Sequence, residues 1–125
     1  MGFASFKAST DTLENGIAII QVNGDLDSHS AKEFQKEVMG AFDDQHFKLI
    51  VDLTNVKYMS SAGASVFIVA EEESRNNGGD VVMLNPAKPI QQVLELLGML
   101  NQAKIFDSRN DAIAYFMGPE DEPVI

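Results

Sequence analysis

Phe47-Lys48-Leu49-Ile50-Val51-Asp52-Leu53 is a short and almost continuous apolar run. Such a run suits a strand covered on both faces, because a strand with one wet face would alternate apolar and polar side chains. A strand buried on both sides needs one layer of structure above it and another below. That requirement points to an α/β architecture, and the flanking segments supply the layers.

Upstream, residues 3–10 and 16–23 have strand character and are separated by Glu14-Asn15-Gly16. This is a hairpin signal with Asn-Gly as its turn, since both residues accept a positive φ. Ala31, Phe34, Val38 and Phe42 then recur at helical spacing, with Ser28 or Ser30 placed to cap the start of the helix. Downstream of the central run, small residues at 60–65 open a second helix, which Asn76-Asn77-Gly78-Gly79 closes. Val81-Val82-Met83-Leu84 reads as another buried strand, and Ile90, Val93, Leu94 and Leu97 as an amphipathic helix stopping at Gly98. Lys104-Ile105-Phe106 predicts an edge strand and residues 111–117 a last short helix. The alternation implies one α/β domain over residues 1–117, with a mixed, mostly parallel sheet of about five strands and about four helices. Residues 118–125 form an acidic tail with no core-forming pattern, expected to be disordered.

Composition narrows the classes of function. At 125 residues and 45% hydrophobic content the chain can bury a core without disulfides or metals. It has no cysteine, which rules out thiolate chemistry and fits a cytoplasmic setting. Nineteen acidic residues against nine basic give a formal charge of -10, which opposes direct nucleic-acid binding and contact with anionic lipid. No apolar run approaches the roughly 18 residues of a membrane-spanning helix, and the N-terminus lacks the pattern of a secretory signal. Met1-Gly2 opens like a myristoylation signal, but Phe6 stands where that pattern needs Ser or Thr. His29 and His46 lie among polar residues without metal-ligand spacing and are expected at the surface, so neither a metal nor a cofactor is implied. Glu71-Glu72-Glu73 reads as a solvated helix face, Phe67 as core with an exposed docking aromatic as the alternative, and Asp52 as a surface or turn residue.

In open parallel sheets, function gathers where strands give way to helix N-termini, and Ser60-Ser61-Ala62-Gly63 occupies such a junction. Taken alone, this serine pair could simply cap a helix. Two separated segments change its meaning: Gly24-Asp25-Leu26-Asp27, and Val51-Asp52-Leu53 followed by Tyr58-Met59-Ser60-Ser61-Ala62-Gly63. Together with the later Asn-Gly-Gly and Leu-Glu-Leu-Leu-Gly-Met-Leu stretches, they resemble the STAS domain, and within it the stand-alone anti-sigma factor antagonists. The resemblance runs from about Phe6 to Phe116.

What the resemblance implies is partner switching. The unphosphorylated antagonist binds an anti-sigma factor that is also a serine kinase and so frees a sigma factor. Phosphorylation at the turn ends the binding, and a serine phosphatase restores it. By alignment of the glycine, the phosphoacceptor falls on Ser61. Ser60 replaces the family's usual Asp and is the alternative, since it too carries a hydroxyl. Asp25, Asp27, Ser60, Ser61, Ala62, Gly63 and Ala64 form the implied partner-binding set, with Asp27 also read as a helix cap. The small residues 62–64 are expected to let a kinase approach the backbone closely.

Two rival readings remain at the level of sequence. A hydrolase would use Ser61 as nucleophile, but the turn lacks Gly-x-Ser-x-Gly and only two histidines could serve as base. A constitutive adaptor in a signalling or transporter-associated complex would keep the STAS fold without a phosphate cycle. The oligomeric state is read as monomer or weak dimer.

Overall fold

The computed structural model describes residues 6–99 and 104–117. The chain runs β1 (Lys7–Thr12), β2 (Ile17–Asn23), α1 (Ser30–Asp43), β3 (Lys48–Asn55), α2 (Ser61–Asn76), β4 (Asp80–Leu84), α3 (Lys88–Leu96), β5 (Lys104–Phe106) and α4 (Arg109–Phe116). The five strands form one sheet in sequence order; β1 pairs antiparallel with β2, and every later pair is parallel. The hairpin turn is a short 3-10 turn, Glu14–Gly16, in which Asn15 and Gly16 take φ of 64° and 75°. Those left-handed angles are the physical reason for Asn-Gly at this point. Residues 3–5 of the predicted first strand and the tail at 118–125 lie outside the described residues.

The pleat divides the central strands between two layers. Ala18, Ile20 and Val22 of β2, Leu49, Val51 and Leu53 of β3, and Val81 and Met83 of β4 pack against α1, α2 and α3. Ile17, Ile19, Ile50, Val82 and Leu84 point the other way and meet Ala112 and Phe116 of α4. This is the two-sided burial that the apolar run at 47–53 requires. Phe67 is fully buried and lies 5.1 Å, ring to ring, from Phe34, which locks α2 to α1 across the larger core.

Several expectations are corrected. Of the candidate caps of α1, Ser28 and Ser30 give way to Asp27, the cap also read from the sequence: its carboxylate accepts from two free N–H groups, and the Ser30 hydroxyl accepts from the Asp27 N–H in return. Asp52 is buried rather than at the surface, and its Oδ1 accepts bonds from the Thr54 N–H (3.0 Å) and hydroxyl (2.6 Å). Glu71 is buried while Glu72 and Glu73 are exposed, since one side of a helical run must turn inward. His46 is partly buried, with its Nδ1 enclosed and unbonded, whereas His29 is exposed.

Candidate functional site

The two segments singled out in the sequence meet at the carboxyl end of the parallel strands. Gly24 leaves β2 with a φ of 102°, a conformation that favours glycine, and its N–H donates to the Asn55 carbonyl at 3.3 Å. The Leu26 N–H donates to the Tyr58 carbonyl at 3.0 Å, and the Ser60 N–H to the Leu26 carbonyl at 2.8 Å. Leu26 and Met59 thus form an isolated parallel bridge that prolongs the β2–β3 pairing beyond the sheet proper. Both side chains are buried, so the two loops are joined by backbone bonds and by apolar contact.

At the start of α2, Ser60 is the N-cap: its backbone is extended and its hydroxyl accepts from the Gly63 N–H at 3.3 Å. Ser61 is the first helical residue and is exposed, and its carbonyl accepts from the Ser65 hydroxyl at 2.9 Å. A Cβ built on Gly63 would lie 3.0 Å from the Leu26 Cβ, 3.1 Å from the Leu26 carbonyl oxygen and 3.2 Å from the Met59 Cγ. Glycine therefore lets the helix start press against the Leu26–Met59 bridge. Ala64 is fully buried behind it. Gly63 and Ala64 are both buried, so internal packing against Leu26 and Met59 accounts for their small size. Ala62 is half-buried.

Asp25 is exposed on the neighbouring loop, one residue before Leu26. Its carbonyl accepts from the Ser30 hydroxyl at 2.6 Å, which ties this loop to α1. The Asp27 carboxylate accepts from the N–H groups of His29 (2.9 Å) and Ser30 (2.8 Å). Bonds from the Ser30 N–H and hydroxyl, with help from His29, hold the Asp27 carboxyl below its ordinary value. Ser60 and Asp27 are thus occupied by capping, while Ser61 and Asp25 stand outward at the same end of the fold. Among the described residues, no cluster of His, Asp and Glu side chains could hold a metal ion.

Sequence reasoning missed a second polar group at the far end of α2. Arg75 Nη2 meets Glu71 Oε2 at 2.9 Å and its Nε meets Asp80 Oδ1 at 3.1 Å, while the Tyr115 hydroxyl donates to Asp80 Oδ2 at 2.8 Å. Burial pushes the Glu71 carboxyl up against the opposing pull of Arg75. Burial and the bond to Asp80 raise the Tyr115 phenol to about 12. The i, i+4 spacing of Glu71 and Arg75 is legible in sequence; their link to Asp80 and Tyr115 is long-range and is not.

A five-stranded mixed sheet with a serine turn clamped between the β2 and β3 loops defines a domain of the STAS type. The STAS domain family model matches residues 10–112, and the chain belongs to that family. It is 26% identical over 110 residues to the putative anti-sigma factor antagonist BtrV of Bordetella bronchiseptica, covering 88% of this chain and 94% of that one. Its fold is similar to a putative anti-sigma factor antagonist of Thermotoga maritima, with a TM-score of 0.78 at 20% identity, covering 89% and 93% of the two chains. It is similar too to the anti-sigma factor antagonist SpoIIAA in its unphosphorylated form, with a TM-score of 0.76 at 17% identity and coverage of 87% and 95%. The phosphorylated form of SpoIIAA, described as a Bacillus cell fate determinant, gives a TM-score of 0.70 at 17% identity, covering 89% and 100%.

Proposed function

We propose that this chain is an anti-sigma factor antagonist that works by partner switching, with Ser61 as its phosphoacceptor. Unmodified, it binds an anti-sigma factor that doubles as a serine kinase, and a sigma factor is released. Phosphate on Ser61 ends that binding and a serine phosphatase removes it, all within the cytoplasm. The observation that carries the assignment is the division of labour at the turn: the Ser60 hydroxyl is used as a cap, and the adjacent Ser61 is exposed at the first helical position. Asp25 on the adjoining loop and Ala62 beside Ser61 complete the outward surface for the partner. Asp27 supports that surface by holding the start of α1.

The chemistry of the position favours modification without unfolding. Free N–H groups and the helix dipole stabilise an anion at a helix N-terminus by about 0.3–1 kcal/mol. For a bound partner the sign reverses, because a dianion pressed into an interface must be desolvated or meet carboxylates, costing several kcal/mol. Turning a nearly full site into a nearly empty one takes about 5.5 kcal/mol, which one such group can supply. The test is to incubate the protein with its cognate anti-sigma kinase and ATP and map the product by mass spectrometry. A single phosphate on Ser61 is expected, absent in Ser61→Ala, which keeps binding. Phosphate on Ser60 overturns the site, and no phosphate with unchanged affinity in Ser61→Glu leaves a constitutive adaptor. Hydrolysis of an ester or nucleotide that depends on Ser61 would make the chain an enzyme.

A further inference from the structure

Between α1 and α2 runs a groove of about 460 Å³, walled by Val38, Met39 and Phe42 on one side and Ala62, Val66 and Val69 on the other. Val69 is 58% exposed and Met39 44%, although both belong to helices whose opposite faces fill the core. Both helices start at the carboxyl end of the sheet, so Ala62 and Lys32 mark the end nearest Ser61, and Phe42 and Glu73 the far end. Val38 and Phe42 form the groove's buried floor, while Met39 and Val69 stand exposed on its rims beside half-buried Ala62 and Val66, and apolar side chains left open around a groove mark an interaction surface.

We propose that this groove receives an amphipathic helix of the anti-sigma factor, an inference that rests on the partner-switching reading above. The occupant's conformation follows from the walls. Two helices have satisfied their own backbones and offer no free N–H or C=O row to an extended segment, so the occupant brings a backbone already hydrogen-bonded within itself. The wall from residue 28 to residue 42 spans about 20 Å, the length of a helix of about 14 residues, which seats between two others as ridges seat in grooves. Its charges follow from the ends: an acidic residue toward Lys32 and a basic one toward Glu73. A second copy of this chain suits the groove poorly, since two bodies of formal charge -10 repel one another. The surface is continuous with the switch, because Ala62 is both a groove wall and the neighbour of Ser61. Phosphate on Ser61 then stands at the occupant's acidic end and meets like charge there.

Hydrogen exchange of the wild-type protein, with and without the purified kinase that phosphorylates Ser61, locates the contact. Protection along residues 31–42 and 62–73 is expected; protection confined to residues 24–27 and 58–61 overturns the inference. Val69→Glu and Met39→Glu should each weaken binding of that kinase at least about ten-fold with an unchanged melting temperature, while Lys7→Glu on β1 leaves it intact. Full affinity in both groove variants sinks the groove and leaves partner switching standing. No binding by the wild type overturns both ideas. A self-associated species that Val69→Glu disperses would assign the groove to a second copy instead.

Discussion

Adjacent serines at the head of α2 carry different physical burdens, and single substitutions should separate them. Ser60→Ala removes the bond accepted from the Gly63 N–H and should cost about 1 kcal/mol in urea unfolding. Ser61→Ala, at an exposed position, should stay within about 0.5 kcal/mol of the wild type. Gly63→Ala sets two effects against each other. Alanine favours helix by up to about 1 kcal/mol, but its methyl would crowd the Leu26 carbonyl, already held by the Ser60 N–H, and two buried side chains. Crowding should win, with a net loss of about 1–2 kcal/mol by the same measurement, because the contacted backbone cannot step aside. A variant as stable as the wild type would show that the bridge is softer than its bonds imply.

For single elements, sequence periodicity was most informative where a strand or helix shows one clear pattern. The apolar run of β3, the Asn-Gly hairpin and the spacing of Ile90, Val93 and Leu94 in α3 lie where the pattern places them, with ends shifted by a residue or two, whereas Leu97 falls just past the helix and is exposed. Periodicity fails in α2, because Val66-Phe67-Ile68-Val69-Ala70 is apolar around the whole circumference of a helix. Only tertiary packing decides that Phe67 and Ala70 turn inward and Ile68 and Val69 outward. The contact of Leu26 with Met59 was equally hidden, since it joins loops rather than regular elements. Two pH effects belong to single elements. The folded-state value of Asp27 is lowered, so its capping of α1 acts above the ordinary carboxylate value and is lost as pH falls through the depressed one. Asp27→Ala should therefore differ from the wild type in thermal stability at neutral pH and converge with it in acid. Tyr115 on α4 is raised, so its stabilising bond to Asp80 is complete below about pH 10 and fades as pH climbs toward 12. Phenolate absorbance should show a late step near 12 that Tyr115→Phe abolishes.

For the molecule as a whole, the two faces of the sheet are unequally protected. Three helices cover one face, and among the described residues the eight-residue α4 is the helix packed on the other. Phe116→Ala should cost about 3 kcal/mol, visible as a lower denaturation midpoint, because it opens a cavity in the smaller core that α4 shares with the sheet. The serine turn lies outside that vulnerable layer, beside the larger core, where Met59, Ala64 and Phe67 are almost wholly enclosed. Phosphorylation of Ser61 should accordingly leave the melting temperature within a few degrees of the unmodified protein, while the affinity for the kinase falls by orders of magnitude. A large drop in melting temperature would mean that the charge reaches the core. The Leu26–Met59 bridge also limits how a gene of this kind can change length. Its backbone bonds put the β2–α1 and β3–α2 loops in mutual register, so neither can gain or lose a residue before the bridge without dragging the other out of step. Insertions in descendants of this chain should therefore collect beyond Asp27 or past the far ends of the helices, and the spacing from Gly24 to Leu26 and from Asn55 to Ser60 should be inherited unchanged.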